Sequence, residues 1–400
     1  MANCETLSMV LRPLTLIGII LSIVTGIALG VLTHLMTRDN TPADTTVTLS
    51  AALKQVSENY VEEISEEELL SHAIDGMMRR LDDHSDYLDR SAFSYLKENT
   101  EGHFGGIGIE LGLQDGYFTV IAPIDGTPAA EAGMQSGDRI TRLNGEWVKG
   151  LLLTDIIDAL RGAPGTSVKL GVERATDNAD VIQNLEFDLT RADIEFASVR
   201  SRLLEPGIAY IRISAFQSRT GDDVYDALAN LTADTSTPLE GLVVDLRNNP
   251  GGTLQSSVEV ADHFLDQGLI VYTEGRLKSS HAKYRATKGD LLAGLPIVVL
   301  INSGSASASE IVAGALQDHG RAQLMGTTSY GKGSVQSVLP LDHDQALKIT
   351  TAYYFTPNGR SIHQKGIDPD IVFEGDDEMI LAEAAAVLKA QEPDSLRASL

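Results

Sequence analysis

The run Pro296-Ile297-Val298-Val299-Leu300-Ile301 constrains this chain more than any other stretch. A continuous apolar, largely β-branched segment of that length fits a strand buried on both faces, and such strands belong to mostly parallel sheets covered by helices. It leads into Asn302-Ser303-Gly304-Ser305-Ala306-Ser307-Ala308-Ser309-Glu310, a turn-prone cluster, and then into Ile311, Val312, Ala315 and Leu316 at helical spacing. The serines therefore sit at a strand-to-helix corner. Unpaired amides and the positive end of a helix dipole at such a corner stabilise an anion, such as the oxyanion of an attacked carbonyl. A serine in the same place also serves simply as a helix cap.

Two other stretches share this punctuated character. In Tyr330-Gly331-Lys332-Gly333 a lysine is held between glycines, which either presents an ammonium into a cleft or forms a surface turn. Asp245-Leu246-Arg247-Asn248-Asn249-Pro250-Gly251-Gly252 follows the apolar Val243-Val244 and reads as a sharp strand-to-helix turn. Further strands are expected at 208–213, 241–245, 269–273, 323–325, 335–339 and 347–353, with helices at 222–231, 254–265 and 308–318. This alternation indicates an α/β body.

Ahead of that body, residues 103–191 begin with Phe104-Gly105-Gly106-Ile107-Gly108-Ile109, glycines running into alternating apolar residues. No Gly-x-Gly-x-x-Gly is present to bind a dinucleotide. Residues 65–68 form a capping box, and Leu70, Ala73, Ile74, Met77, Met78 and Leu81 give the following helix one apolar face. Residues 41–48 read as a polar linker. The segment Asp82-Asp83-His84-Ser85-Asp86 lacks the glycine and distal glutamate of an EF-hand and reads as a solvated turn. Residues 14–36 are almost uninterruptedly apolar and long enough to cross a bilayer. Arg12 ahead of them favours a cytoplasmic N-terminus, and their length favours a retained anchor over a cleaved signal peptide, whose apolar region is shorter and ends in a small-x-small site.

Composition removes several alternatives. A net charge of −25 disfavours nucleic-acid binding, which needs basic surface. A single cysteine, Cys4, allows no internal disulfide, and nine histidines show no ligand spacing, so no metal ion or other cofactor is expected.

The serine cluster, the Gly-Lys-Gly segment and the Asn-Asn-Pro-Gly-Gly turn together resemble the carboxyl-terminal processing peptidases, also called tail-specific proteases. The resemblance implies a serine nucleophile and a lysine base on a crotonase-like β-β-α spiral core. Carried onto this chain, Ser307 between two alanines is the nucleophile and Lys332 the general base. Gln336 orients the lysine, Asp318 matches a further family position, and Ala308 with Gly251 or Gly252 supplies the oxyanion amides. Pro128-Ala129-Ala130-Glu131-Ala132-Gly133 and Gly137-Asp138-Arg139-Ile140 resemble a PDZ domain of the bacterial protease type. That likeness implies a carboxylate nest at Gly106, Ile107 and Gly108, and a groove wall carrying Ile157 and Leu160. It further implies protein substrates held by their C-terminal tails in the bacterial periplasm, a lipoprotein adaptor and a homo-oligomer. The expected divisions are 1–40 anchor or signal sequence, 41–102 helical region, 103–191 PDZ domain, 192–374 protease core, and 375–400 C-terminal helix and tail.

Three rival readings remain at the level of sequence. Ser329 forms a Ser-x-x-Lys pair with Lys332, a spacing that works on a helix face, which Gly331 and Gly333 oppose. Ser307 with His319 and Asp318 would make a triad, although adjacent helical side chains point apart. An idle peptide-binding scaffold is the reading outside catalysis.

Overall fold

The computed structural model describes residues 42–114, 116–176, 182–233 and 238–391. The apolar segment 14–36 lies outside them. Among the described residues no helix is long and apolar enough to cross a membrane. The chain divides into two units, residues 1–80 and residues 81–400.

In the first unit, α1 (Pro42–Asn59) and α2 (Glu66–Met78) are helical. The polar stretch expected as a linker is thus the first two turns of α1. Pro42 explains the difference, since proline is favoured at the first helical position, where no N–H is needed. Ser65 caps α2 as expected, its Oγ accepting the Glu68 N–H at 3.1 Å.

The second unit opens with β1 (Asp86–Leu88) and α3 (Arg90–Glu101). Next come β2 (His103–Gly106), β3 (Ile109–Gln114), β4 (Tyr117–Pro123), α4 (Pro128–Glu131), β5 (Arg139–Leu143) and β6 (Glu146–Trp147). The helix α5 (Leu153–Leu160), β7 (Ser167–Ala175), β8 (Ile182–Thr190) and β9 (Ala192–Glu195) complete this portion. Its sheet runs β3-β4-β5-β7-β8, with β6 on β5, so β3 is an edge strand. Alternate residues Val168, Leu170 and Val172 of β7 point inward, and with Ile107, Val120, Ile156 and Leu160 they form one apolar core.

The remainder is built on two sheets. Its elements are β10 (Val199–Glu205), β11 (Ile208–Ile213), α6 (Thr220–Ala233), β12 (Gly241–Asp245), α7 (Leu254–Asp262), β13 (Leu269–Glu274) and β14 (Ala282–Arg285). They continue with β15 (Ile297–Ile301), α8 (Ala308–Asp318), β16 (Gln323–Gly326), β17 (Ser334–Pro340), β18 (Ala346–Phe355), β19 (Ile371–Val372) and α9 (Asp377–Ala390). One sheet has the order β10-β11-β12-β15-β16-β19, parallel throughout except for β10. Both β12 and β15 are buried along their whole length, as their unbroken apolar runs demand. One face of this sheet packs Leu242, Val244 and Val299 with residues of α6, α7 and α8. The other packs Val243, Val298 and Leu300 against Ile380, Ala384 and Leu388 of α9. The second sheet is antiparallel, β1-β18-β13-β14 with β17 on β18.

Candidate active site

The corner after β15 is held in a backbone conformation that a side chain rarely adopts. Ser307, the residue before α8, has φ +55° and ψ −113°. Such outliers cost about 1–3 kcal/mol and persist only where surroundings fix them. Here the fixing group is Glu310, a fully buried carboxylate. Its Oε2 accepts the Ser307 N–H at 2.8 Å and the Lys332 N–H at 2.9 Å. Its Oε1 accepts Ser329 Oγ–H at 2.6 Å and the Gly331 N–H at 2.7 Å. One carboxylate therefore ties the serine corner to the Gly-Lys-Gly segment. Tyr354 adds a second tie, its buried hydroxyl lying 3.0 Å from Ser307 O and against Lys332 O. Burial pushes that phenol's pKa well up, so it stays a donor.

The neighbouring serines are engaged elsewhere. Ser305 Oγ donates to Leu246 O at 2.8 Å, and Ser309 Oγ donates to Asn249 O at 2.9 Å, both from fully buried positions. Ser329 Oγ, besides meeting Glu310, accepts the Ile367 N–H at 2.7 Å. Ser307 is left as the half-buried serine of the corner.

The turn after β12 is pinned against this corner. Asn248 and Asn302 pair reciprocally, Asn302 Oδ1 accepting the Asn248 N–H at 2.8 Å and Asn302 Nδ2 donating to Asn248 Oδ1 at 2.9 Å. A Cβ on Gly251 would stand 2.8 Å from the Ser307 Cβ and 3.0 Å from the Ala308 nitrogen. Only a glycine allows that approach, and its φ of +104° also requires one. The Gly251 N–H is already committed to Asn249 Oδ1 at 2.9 Å. The N–H groups of Gly252 and Ala308, by contrast, have no hydrogen-bond acceptor among the described residues. Gly252 is exposed.

Lys332 is half-buried between these loops. Burial lowers its pKa from the ordinary 10.5, the Lys348 charge lowers it further, and Glu310 acts in the opposite sense. Among the described residues its ammonium has no ion pair, and no hydrogen bond joins it to Ser307 Oγ. Gln336 lies on β17 and donates from Nε2 to Ser334 Oγ at 3.0 Å and to Thr350 Oγ1 at 3.2 Å. Asp318 is not brought to this cluster. It ends α8, roughly 16 Å from Ser307 at about 1.5 Å rise per residue. There it pairs with Arg360 and accepts the Asn358 N–H at 2.8 Å. His319 is likewise occupied, Nε2 lying 2.7 Å from Leu269 O.

The segment expected to be a solvated turn is docked instead. Asp82 Oδ1 accepts the N–H groups of His84 and Ser85, both at 2.8 Å, and Thr350 Oγ1–H at 3.1 Å. Ser85 is buried and accepts the Thr350 N–H at 3.0 Å. Thr350 thus links this turn to Gln336. His84 faces the lysine, and burial followed by the Lys332 charge lowers its pKa.

Sequence reasoning missed Glu310, Tyr354 and Asn249 as organisers of the corner. For Glu310 a signal existed, because Ser307-x-x-Glu310 has capping-box spacing.

At the other candidate site, Gly108 has φ +78° and its O accepts the Ile124 N–H at 2.9 Å. The N–H groups of Ile107 and Gly108 have no acceptor among the described residues. Gly106 ends β2, paired with Ala192. The Ile107 and Leu160 side chains belong to the core, so Ile107 offers only its backbone, while Ile157 on α5 is half-buried. That helix lies against β3, whose outer edge is unpaired.

Comparison with known proteins agrees with this architecture. Residues 207–373 match Peptidase family S41, residues 119–174 a PDZ domain, and residues 33–92 the activating protease CtpB N-terminal domain. A carboxy-terminal-processing protease of Bartonella bacilliformis is 43% identical over 322 residues, 80% of this chain and 73% of that protein. The carboxy-terminal processing protease CtpB of Bacillus subtilis is 35% identical over 351 residues, 86% of this chain and 70% of its own. Among solved structures, a photosystem II D1 C-terminal processing protease covers 82% of this chain and 92% of its own length, at 29% identity and a TM-score of 0.47. The sequence matches carry the assignment: extending over most of each relative, they make this chain a member of peptidase family S41, among the carboxy-terminal processing serine proteases.

Proposed function

We propose that this peptidase uses a Ser307–Lys332 dyad to cleave extracytoplasmic proteins near their C-termini. The observation that carries the reading is the convergence of both motifs on the buried Glu310 carboxylate beside two free amides. Ser307 Oγ attacks the scissile carbonyl and Lys332 Nζ takes its proton. The oxyanion is received by the N–H groups of Ala308 and Gly252, while Gly251 supplies the close approach. Collapse breaks the C–N bond, and Lys332 returns the proton to the leaving amine. A water molecule, deprotonated by the same lysine, then hydrolyses the acyl-enzyme and frees Ser307. The missing Ser307–Lys332 hydrogen bond fits a resting site, because such bonds tighten when substrate is bound. Gln336 acts as a positioning residue at the start of β17. Asp318 serves the Arg360 turn and reaches the chemistry only through α8.

The PDZ domain, taken as 103–191, receives the substrate's terminal carboxylate on the Ile107 and Gly108 amides and its last strand on the edge of β3. The succession β10–β11–α6 supports a crotonase-like spiral for 192–374. Residues 14–36 anchor the enzyme in the inner membrane with the body in the bacterial periplasm, where an adaptor and a second copy are accommodated.

The test is covalent. A fluorophosphonate probe is expected to label Ser307 in the full chain, with labelling lost in Ser307→Ala and reduced in Lys332→Ala. Labelling that persists in Ser307→Ala overturns the assignment.

A further inference from the structure

A cavity of about 350 Å³ lies beside the catalytic loops, at the end of the parallel sheet where β12 gives way to Asn248. Its lining is basic in a chain whose net charge is −25. Arg200 and Arg202 reach it from β10 and Arg212 from β11, and Arg247 follows β12. Two carboxylates are also present, and both are spoken for. Arg247 holds Asp245 through two hydrogen bonds, at 2.9 and 2.6 Å, and Asp377 at 2.7 Å. Arg212 Nη1 sits 3.6 Å from Asp245 Oδ1 and donates to Asp245 O at 3.0 Å. Arg202 lies over the Tyr210 ring at 5.0 Å. Neither Arg200 nor Arg202 pairs with a carboxylate among the described residues, and both are exposed.

The backbone beneath them is equally open. β10 is the outer strand of its sheet and pairs only with β11. Outward-facing N–H and C=O groups on such an edge accept a further strand. Side chains two apart share a face, so an added strand would lay every second side chain beside Arg200 and Arg202. The opposite face of β10 meets an acidic cavity containing Asp223 and Asp226, which disfavours carboxylates on the intervening residues. Asn248 connects the basic cavity to the chemistry, since its turn continues to Gly251 against Ser307.

We infer that the β10 edge is a substrate subsite for an extended acidic segment of the polypeptide being cleaved, with alternating carboxylates on Arg200 and Arg202. The inference rests on the peptidase reading above, and its test is read by binding, so that the two fail separately.

The experiment uses full-length Ser307→Ala protein and fluorescein-labelled peptides with amidated C-termini, which removes the carboxylate the PDZ domain would hold. At low salt, a peptide with Glu at alternating positions is expected to bind about three- to tenfold more tightly than its Gln twin. The preference should fade near 0.5 M salt, as partly exposed charges are screened. It should vanish in Arg200→Glu/Arg202→Glu and be halved or more in Arg200→Gln/Arg202→Gln, with an unchanged thermal midpoint in both. A Lys-for-Glu peptide should gain affinity for the charge-reversed protein. Equal binding of the Glu and Gln peptides, or undiminished Glu-peptide binding by the folded charge-reversed protein, overturns the subsite. Arginine-dependent binding to phosphatidylglycerol vesicles or inorganic phosphate without a Glu-peptide preference overturns it too, assigning the cavity to phosphate groups instead.

Discussion

Glu310 Oε2 lies 2.8 Å from the main-chain nitrogen of Ser307, so the residue read as nucleophile is held in its left-handed conformation by a carboxylate three positions along. All four groups around this carboxylate are donors. Glu310→Gln keeps the shape but turns an NH2 group toward donors. It should destabilise the fold by about 2–4 kcal/mol and lower kcat far more than it raises KM. Urea unfolding and steady-state kinetics measure the two effects.

On the proposed dyad Lys332 must lose its proton to act, and its folded pKa lies below the ordinary 10.5. kcat/KM should therefore climb with pH to a plateau reached below the titration of free lysine. The unfolded chain holds this proton more tightly than the folded one. The sign for stability follows: this site's contribution rises with pH between the folded pKa and 10.5, and is flat below that window, where both states hold the proton. Lys332→Met should abolish cleavage without lowering the thermal midpoint at neutral pH. A marked loss of stability in that variant would contradict the burial cost.

Ser329→Ala separates support from chemistry. The substitution removes hydrogen bonds to Glu310 and from the Ile367 N–H, and should cost about 1–3 kcal/mol. Ser307 should still be labelled by the fluorophosphonate probe in protein that remains folded.

On the proposed carboxylate recognition, amidating a substrate's C-terminus removes the charge that would meet the unengaged Ile107 and Gly108 amides. Well below saturation, kcat/KM should fall about ten- to a hundredfold. Gly108→Ala should reproduce the loss with free-acid substrate, because the new Cβ would meet Thr127 at 2.3 Å and φ is +78°.

The elements around the corner were legible because their patterns are local. An apolar β-branched run bounded by turn residues gave β12 and β15 their limits, and the helical spacing after Ser307 gave those of α8. The same residues left the oxyanion glycine open, since the choice depends on where the Asn249 side chain points. Glu310 stands in the first turn of α8, and its partners Ser329, Gly331 and Lys332 lie about twenty positions away. The turn at Asp82 misled for a related reason: part of its polarity is met by Thr350, far along the chain on β18.

Ser307 rides on the parallel sheet, whereas Lys332 leads into β17 of the antiparallel one. On the dyad reading, loss of the β17–β18 hairpin would remove the base together with Tyr354 and the Gly331 and Lys332 N–H groups, which help to hold the Ser307 corner. A damaged molecule then keeps its serine but cannot ionise it. For a protease the consequence is a safe mode of failure: partial damage yields an inert protein and not an indiscriminate one.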